Sequence, residues 1–274
     1  MTALGTDQLA GLDRVSLEQL NDRAALMHRQ ENKYLVDAAD FSAALGELGE
    51  HFDVLDIEGR TAFSYSTVYF DSEALAAYHQ HAQGKRRRFK VRSRQYLDTG
   101  LCYFEVKLKG TRDRTIKQRM VYRPDEHGGV TAAAQAFVQR CFQDVYDQVF
   151  DHELSAQLAM RYRRVTLVGK HSPERVTIDY DLEFQRGDDA AVATPGQWLI
   201  VEVKSERGRG TADRVLQRRG IRSSRCSKYC IGLNLVRRDL RYNAFKPTLQ
   251  SYFGWSSPAA PEPQAVPLPV PFAA

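Results

Sequence analysis

The sequence predicts an α+β fold: about eight mainly antiparallel strands with a few covering helices. Three observations lead there. Segments rich in Val, Ile, Thr and aromatic residues alternate polar and apolar positions, and Gly, Pro, Asp and Ser turns separate them. Helical periodicity is confined to shorter stretches between and after these segments. The polar positions of several strands are nearly all charged, so each strand has one apolar and one ionic face. Either the ionic faces meet water, or they face one another around something strongly anionic.

A chain of 274 residues suffices for one large domain or two small ones. With 43% hydrophobic and 27% charged residues it has an ordinary globular composition. Lys plus Arg number 39 against 34 Asp plus Glu, a net charge of +5 that is too mild to define a polyanion binder by itself. Any such site must come from local clustering. Cys102, Cys141, Cys226 and Cys230 form no C-x-x-C pair, which suggests free thiols in a reducing compartment. No apolar leader and no apolar run of membrane-spanning length is present, so the expectation is a cytoplasmic protein without a membrane segment.

In chain order, Ser16 and Gln19 form a capping box that opens a helix over 16–28. A strand over 29–36 sets Glu31 and Lys33 on one side, and Asp37 caps a helix reaching to residue 48. A strand over 61–70 leads to a short helix through Tyr78 and His81. Lys85-Arg86-Arg87-Arg88 reads as a solvated loop. Beyond it, a strand over 89–96 holds Lys90, Arg92 and Arg94 in a row. The turn Asp98-Thr99-Gly100 connects to residues 101–109, with Glu105, Lys107 and Lys109 on one face, and residues 113–122 carry Lys117 and Arg119. The longest helix spans 131–150.

The second half repeats the pattern. A strand over 155–168 has Arg161 and Arg163 on one face and Arg164 on the other. Over 175–183, Arg175, Asp179, Asp181 and Glu183 take one side and Val176, Ile178, Tyr180 and Leu182 the other. The last strand, 198–205, carries Glu202 and Lys204. Helices are predicted over 211–219 and 223–235, the latter with Ser227-Lys228-Tyr229. Residues 256–274 hold six of the ten prolines, so a disordered tail is expected from 246 to 274, after a leader over 1–28 and a domain over 29–245.

If the sheet curls into a closed barrel with its apolar side outward, the same-face charges line a lumen. Its occupant would be a chain of phosphates, for which Arg offers forked donors and Lys mobile point charges. Glu31, Glu105, Asp179 and Glu202 are interspersed among the cations. These carboxylates either pair with neighbouring cations or, with Glu202 favoured, hold a hard divalent cation, Mg²⁺ or Mn²⁺, against the phosphates. Nucleic acid is disfavoured as a partner because the aromatics alternate onto the apolar face.

The motifs Glu31-Asn32-Lys33-Tyr34-Leu35-Val36, Lys90-Val91-Arg92-Ser93-Arg94, Phe104-Glu105-Val106-Lys107, Ile116-Lys117-Gln118-Arg119, Arg161-Tyr162-Arg163-Arg164, Arg175-Val176-Thr177-Ile178-Asp179, Val201-Glu202-Val203-Lys204 and Ser227-Lys228-Tyr229 follow in an order that resembles the VTC (vacuolar transporter chaperone) domain over about 28–235. That domain belongs to the triphosphate tunnel metalloenzymes, related to the CYTH group. The resemblance implies a closed, tunnel-shaped antiparallel barrel and a polyphosphate polymerase that moves the terminal phosphate of ATP onto a growing polyphosphate chain. It implies catalytic roles for Arg92, Arg94, Lys107 and Lys228, the last near a tunnel mouth. It further implies phosphate binding by Lys117, Arg119, Arg161 and Arg175 and a metal at Glu202; the same-face pattern adds Lys33, Lys90, Lys109, Arg163 and Lys204 as candidate phosphate ligands, and Glu31 and Glu105 as candidate ligands of Mn²⁺ or Mg²⁺. Arg29 stands where CYTH triphosphatases carry a further glutamate, which favours polymerase over triphosphatase. An inorganic or nucleoside triphosphatase of the same fold, and a non-catalytic polyphosphate or polyanion binder, stay open.

Overall fold

β-Branched and aromatic residues at alternate positions draw most of the chain into one sheet. The computed structural model describes residues 4–23, 30–110 and 115–255. Its strands are β1 (Arg14–Val15), β2 (Gln30–Asp37), β3 (Phe52–Leu55), β4 (Ala62–Asp71), β5 (Phe89–Tyr96), β6 (Cys102–Lys109), β7 (Thr115–Val121), β8 (Ser155–Gly169), β9 (Arg175–Gln185), β10 (Val192–Ala193) and β11 (Trp198–Ser205). Its helices are α1 (Leu17–Arg23), α2 (Ala38–His51), α3 (Ala76–Ala82), α4 (Ala132–Tyr146), α5 (Thr211–Arg218), α6 (Lys228–Val236) and α7 (Lys246–Phe253).

The main path of the sheet is β2-β11-β9-β8-β4-β5-β6-β7, antiparallel throughout, and β3, β10 and β1 are added at its margins. Among the described residues β2 and β7 do not pair, so the sheet is open and eleven-stranded, which corrects the closed barrel of about eight strands. The reason is local. The free edge of β2 is taken by the segment entering α6, where Ser224 N donates to Lys33 O at 2.7 Å, and an edge bonded to coil is not available for closure.

Apolar burial holds the layers. The outer faces of β2, β9 and β11 place Tyr34, Val36, Val176, Ile178, Leu199, Val201 and Val203 against Phe41, Leu45 and Leu48 of α2 and Val215 and Leu216 of α5. Phe89, Val91, Phe104, Val106 and Leu108 belong to a second body with Val138, Cys141 and Phe142 of α4. Each such side chain contributes roughly 1.5–3 kcal/mol on burial, so these faces outweigh any single ion pair in setting the sheet's inside and outside. Helix ends follow the expected caps. Asp37 Oδ1 accepts from Ala39 N at 2.8 Å, and Ser16 and Gln19 bond reciprocally. Helix α4 stops at Tyr146, short of the expected 150, because Asp147 turns left-handed (φ 51°).

The ends of the chain depart from expectation. Residues from 246 were expected to be disordered, yet α7 forms there and buries Leu249, Phe253 and Trp255. The rest of that tail, 256–274, lies outside the described residues, as do 24–29 at the end of the first expected helix and Asp113 at the start of an expected strand. In the leader, Leu4, Leu9, Leu12, Val15 and Leu20 are buried in the body of the fold. No helix of the described residues is long and apolar enough to cross a membrane.

One irregularity decides the shape of the inner face. Arg161 pairs with Glu183, but Arg163 pairs with Tyr180, so β9 carries one extra residue between these rungs. Asp181 sits there with φ 50°, a left-handed conformation that aspartate tolerates. The bulge flips the alternation. Asp179 and Glu183, predicted on one side, lie on opposite faces, and Phe184 turns inward opposite Met160. Helix α6 packs on this apolar part, and Gly232 permits the approach: a Cβ there would meet Phe184 Cδ1 at 2.3 Å and Leu158 Cδ2 at 2.8 Å.

Candidate functional site

Cross-strand register gathers the charges. On β5, β6 and β7 the rungs Lys90–Lys107–Lys117 and Arg92–Glu105–Arg119 share one face, and Tyr69 and Thr67 of β4 continue it opposite Arg92 and Arg94. On the other side, Lys33 and Glu31 of β2 stand opposite Glu202 and Lys204 of β11, which stand opposite Thr177 and Arg175 of β9. The sheet curls so that these walls confront each other, with Lys107 within electrostatic reach of Glu202, Glu31 and Lys204.

The first wall has more cation than carboxylate. Glu105, fully buried, accepts from Arg92 Nε at 2.7 Å and also pairs with Lys117. Burial opposes its charge, but Arg92, Arg94 and Lys117 hold its carboxyl far below the usual range. Lys90 and Lys107 face each other across β5 and β6 and form no ion pair among the described residues. The neighbouring Arg92 charge, followed by burial, pushes the Lys107 ammonium well down; burial does the same to Lys90. Lys117 is pushed down to about 8, mainly by burial. Arg94, 6% exposed, has Thr67 Oγ1 at 3.4 Å and stacks over Tyr65 and Tyr162 without an ion pair among the described residues.

The second wall is balanced. Lys33 contacts Glu31 at 2.6 Å and Glu202 at 3.7 Å, and Lys204 pairs with Glu202 and lies 4.0 Å from Glu31. Burial works against the charge of Glu202, but Lys204 and then Lys33 hold its carboxyl well below the usual range. Deeper in, Asp179 accepts two bonds from Arg164 at 2.5 and 2.8 Å and receives Lys228 at 2.5 Å. Burial opposes its ionisation; Arg164 and Lys228 lower it to about 2. The Lys228 side chain, 10% exposed, is thus held within the face by Asp179.

Most of the predicted positions meet here, but two do not. Arg161 is exposed beside Glu183, and Arg163 stacks on Tyr180 at 5.3 Å, so both belong to the outer face. The inner residue of that motif is Arg164, aligned with Tyr162 and Met160. Lys117 and Arg119 lie at the open edge strand, Arg119 over Tyr103 at 4.6 Å. The tyrosines were also missed. Tyr65, Tyr69 and Tyr162 lie on the inner face, contrary to the expectation that aromatics keep to the apolar side, but all three are buried beneath guanidinium groups and closed to base stacking. Their mark in the sequence is the same period of two that places the cations.

The expected metal trio does not assemble: no group of three His, Cys, Asp or Glu side chains comes together among the described residues. Glu105 is held on the first wall by Arg92 and Lys117. Glu31 and Glu202, diagonal across β2 and β11, fit a hard cation that takes one or two carboxylates and completes its shell from phosphate and water.

A family model described as the VTC domain matches residues 28–237. No curated protein matches the chain. Solved structures similar to it include a Hippeastrum protein described as an adenylyl cyclase candidate with a dominant triphosphatase activity (15% identity, 77% of this chain and 97% of that one, TM-score 0.49). A candidate adenylate cyclase from Bacillus halodurans (13%, 73% and 96%, 0.44) and a protein from Pyrococcus horikoshii (10%, 76% and 99%, 0.45) are others.

Proposed function

This chain belongs to the VTC domain family, and from that premise we propose that it is a polyphosphate polymerase that transfers the γ-phosphate of ATP onto a growing polyphosphate chain within the ionic face. The observation that carries this reading is the Lys90–Lys107 rung: two ammonium groups in register, without an ion pair among the described residues, next to Arg92 and Arg94. Like charges opposed this way destabilise the empty protein. A ligand anionic along its whole length relieves that repulsion, each contact of about 4 Å contributing on the order of 4 kcal/mol at an effective dielectric near 20.

Arg94 would fork onto phosphate oxygens, Arg92, held by Glu105 and by Tyr69 OH at 3.3 Å, would add its charge beside it, and Lys90 and Lys107 would neutralise the next unit. Lys228 and Arg164, held by Asp179, fix the inner end of the track. Glu202 and Glu31 would hold Mg²⁺ or Mn²⁺, which when bound withdraws charge from the phosphate oxygens. No protein nucleophile is required. A terminal oxygen of the acceptor chain forms the new O–P bond as the bond from the γ-phosphorus to ADP breaks, and positioning with charge neutralisation supplies most of the rate.

The test incubates the protein with ATP and Mn²⁺ or Mg²⁺ and sizes the phosphate product on a gel. ADP with a lengthening ladder is the expected result. Orthophosphate release without a ladder selects a triphosphatase, and polyphosphate binding with ATP intact selects a non-catalytic binder.

A further inference from the structure

We infer that the basic run Lys85-Arg86-Arg87-Arg88 continues the phosphate track outward and holds the polyphosphate chain beyond the ionic face. The inference rests on the polyphosphate reading above. By composition alone this run is a solvated loop, but its attachment is not that of a linker.

Arg88 precedes Lys90 by two residues, and Lys109 follows Lys107 by two. Lys109 N donates to Arg88 O at 2.9 Å, which extends the β5–β6 ladder by one rung past Phe89 and Leu108. Alternation therefore sets Arg88 in the row of Lys90, Arg92 and Arg94, and Lys109 in the row of Lys107. The end of the hairpin is held from α4: the single Tyr146 O–H lies between two carbonyl oxygens, Lys109 O at 2.9 Å and Arg88 O at 3.1 Å, and shares its proton between them. Arg88 Nη1 donates back to Lys85 O at 2.7 Å, and the Arg87 guanidinium lies over the Tyr146 ring at 5.7 Å.

The outer run also meets the inner charges at one point. His81 Nε2 lies 3.1 Å from Phe89 O, and its imidazole is pushed down to about 3, first by burial and then by Lys90, Arg88 and Lys33. Those three cations thus converge on one corner, from the loop, from β5 and from β2. Lys85, Arg86, Arg87 and Arg88 make no ion pair among the described residues, and Lys85, Arg86 and Arg87 are exposed. The arrangement fits a linear polyanion better than nucleic acid, because the aromatic ring within the patch, Tyr146, is covered by Arg87 and offers no open face for a base.

The experiment compares wild type with Lys85→Gln/Arg86→Gln/Arg87→Gln, titrating linear polyphosphate of about 100 units, and separately tripolyphosphate, at low and moderate salt. The expected result is a roughly tenfold loss of long-chain affinity with a flatter salt dependence, while tripolyphosphate, too short to reach the loop, binds within about twofold. Intact tripolyphosphate binding also shows that the variant is folded. Equal losses for both ligands, or no loss for either, would overturn the track. So would a single-stranded oligonucleotide of equal charge that displaces long polyphosphate as well as unlabelled polyphosphate does. If wild type binds neither phosphate ligand, the polyphosphate reading fails and this inference with it.

Discussion

The wall of β5, β6 and β7 and the wall of β9, β11 and β2 use the same residue types to opposite effect. On the first, Lys90, Lys107 and Arg94 have no ion pair among the described residues, and the buried carboxylate, Glu105, is consumed by Arg92 and Lys117. On the second, Glu31, Lys33, Glu202 and Lys204 alternate in sign along paired strands, and Asp179 steadies Arg164 and Lys228. A balanced wall is stable when empty; a cationic one gains most when an anion arrives. On the proposed reading the first wall would bind phosphate and the second would hold the metal, which separates Glu105 from Glu202.

That separation is open to direct attack. Glu202→Gln should lower metal-dependent turnover on the order of 100-fold or more, while tripolyphosphate affinity holds or rises because a carboxylate has left the field. Single-turnover ADP formation at saturating Mn²⁺ measures it, and unchanged turnover would remove Glu202 from the site. Glu105→Gln should act on the fold. It strands Arg92, 7% exposed, without its carboxylate, and costs about 3 kcal/mol in urea unfolding. A loss well under 1 kcal/mol would make Glu105 no more structural than Glu202.

A smaller effect follows pH. With Lys117 pushed down to about 8, its charge is present below that pH and lost above it, whereas an arginine there stays charged. Between about pH 7 and 9, wild type should lose roughly fivefold in tripolyphosphate affinity relative to Lys117→Arg, the worth of about 1 kcal/mol for one charge near solvent. Parallel pH profiles would take Lys117 off the track.

Much of this was legible because period-two alternation survives in β2, β5, β6 and β11: Glu31 with Lys33, Lys90 with Arg92 and Arg94, Glu105 with Lys107, and Glu202 with Lys204 fall on the faces predicted for them. What failed did so where alternation carries no information. A single inserted residue at Asp181 reverses every later side chain of β9, and no pattern announces it. Along β8 the periodicity separates Arg163 from Arg164 but cannot say which face is inner, and the larger number of arginines on one face pointed the wrong way. Closure was lost to coil, since the partner of β2 at its edge is Ser224. Helix α7 was hidden by composition. The prolines after residue 256 set the expectation for the whole end of the chain, although Leu249 and Phe253 stand at helical spacing.

The phosphate track is proposed on the inner face of the sheet and not on the outer one. Isothermal titration of tripolyphosphate into Arg94→Ala and Arg163→Ala tests it directly, since neither arginine has an ion pair among the described residues whose loss would confuse the result. Arg94→Ala should lose about tenfold or more in affinity, and Arg163→Ala should stay within about twofold of wild type. Equal losses, or the larger loss at Arg163, would contradict it.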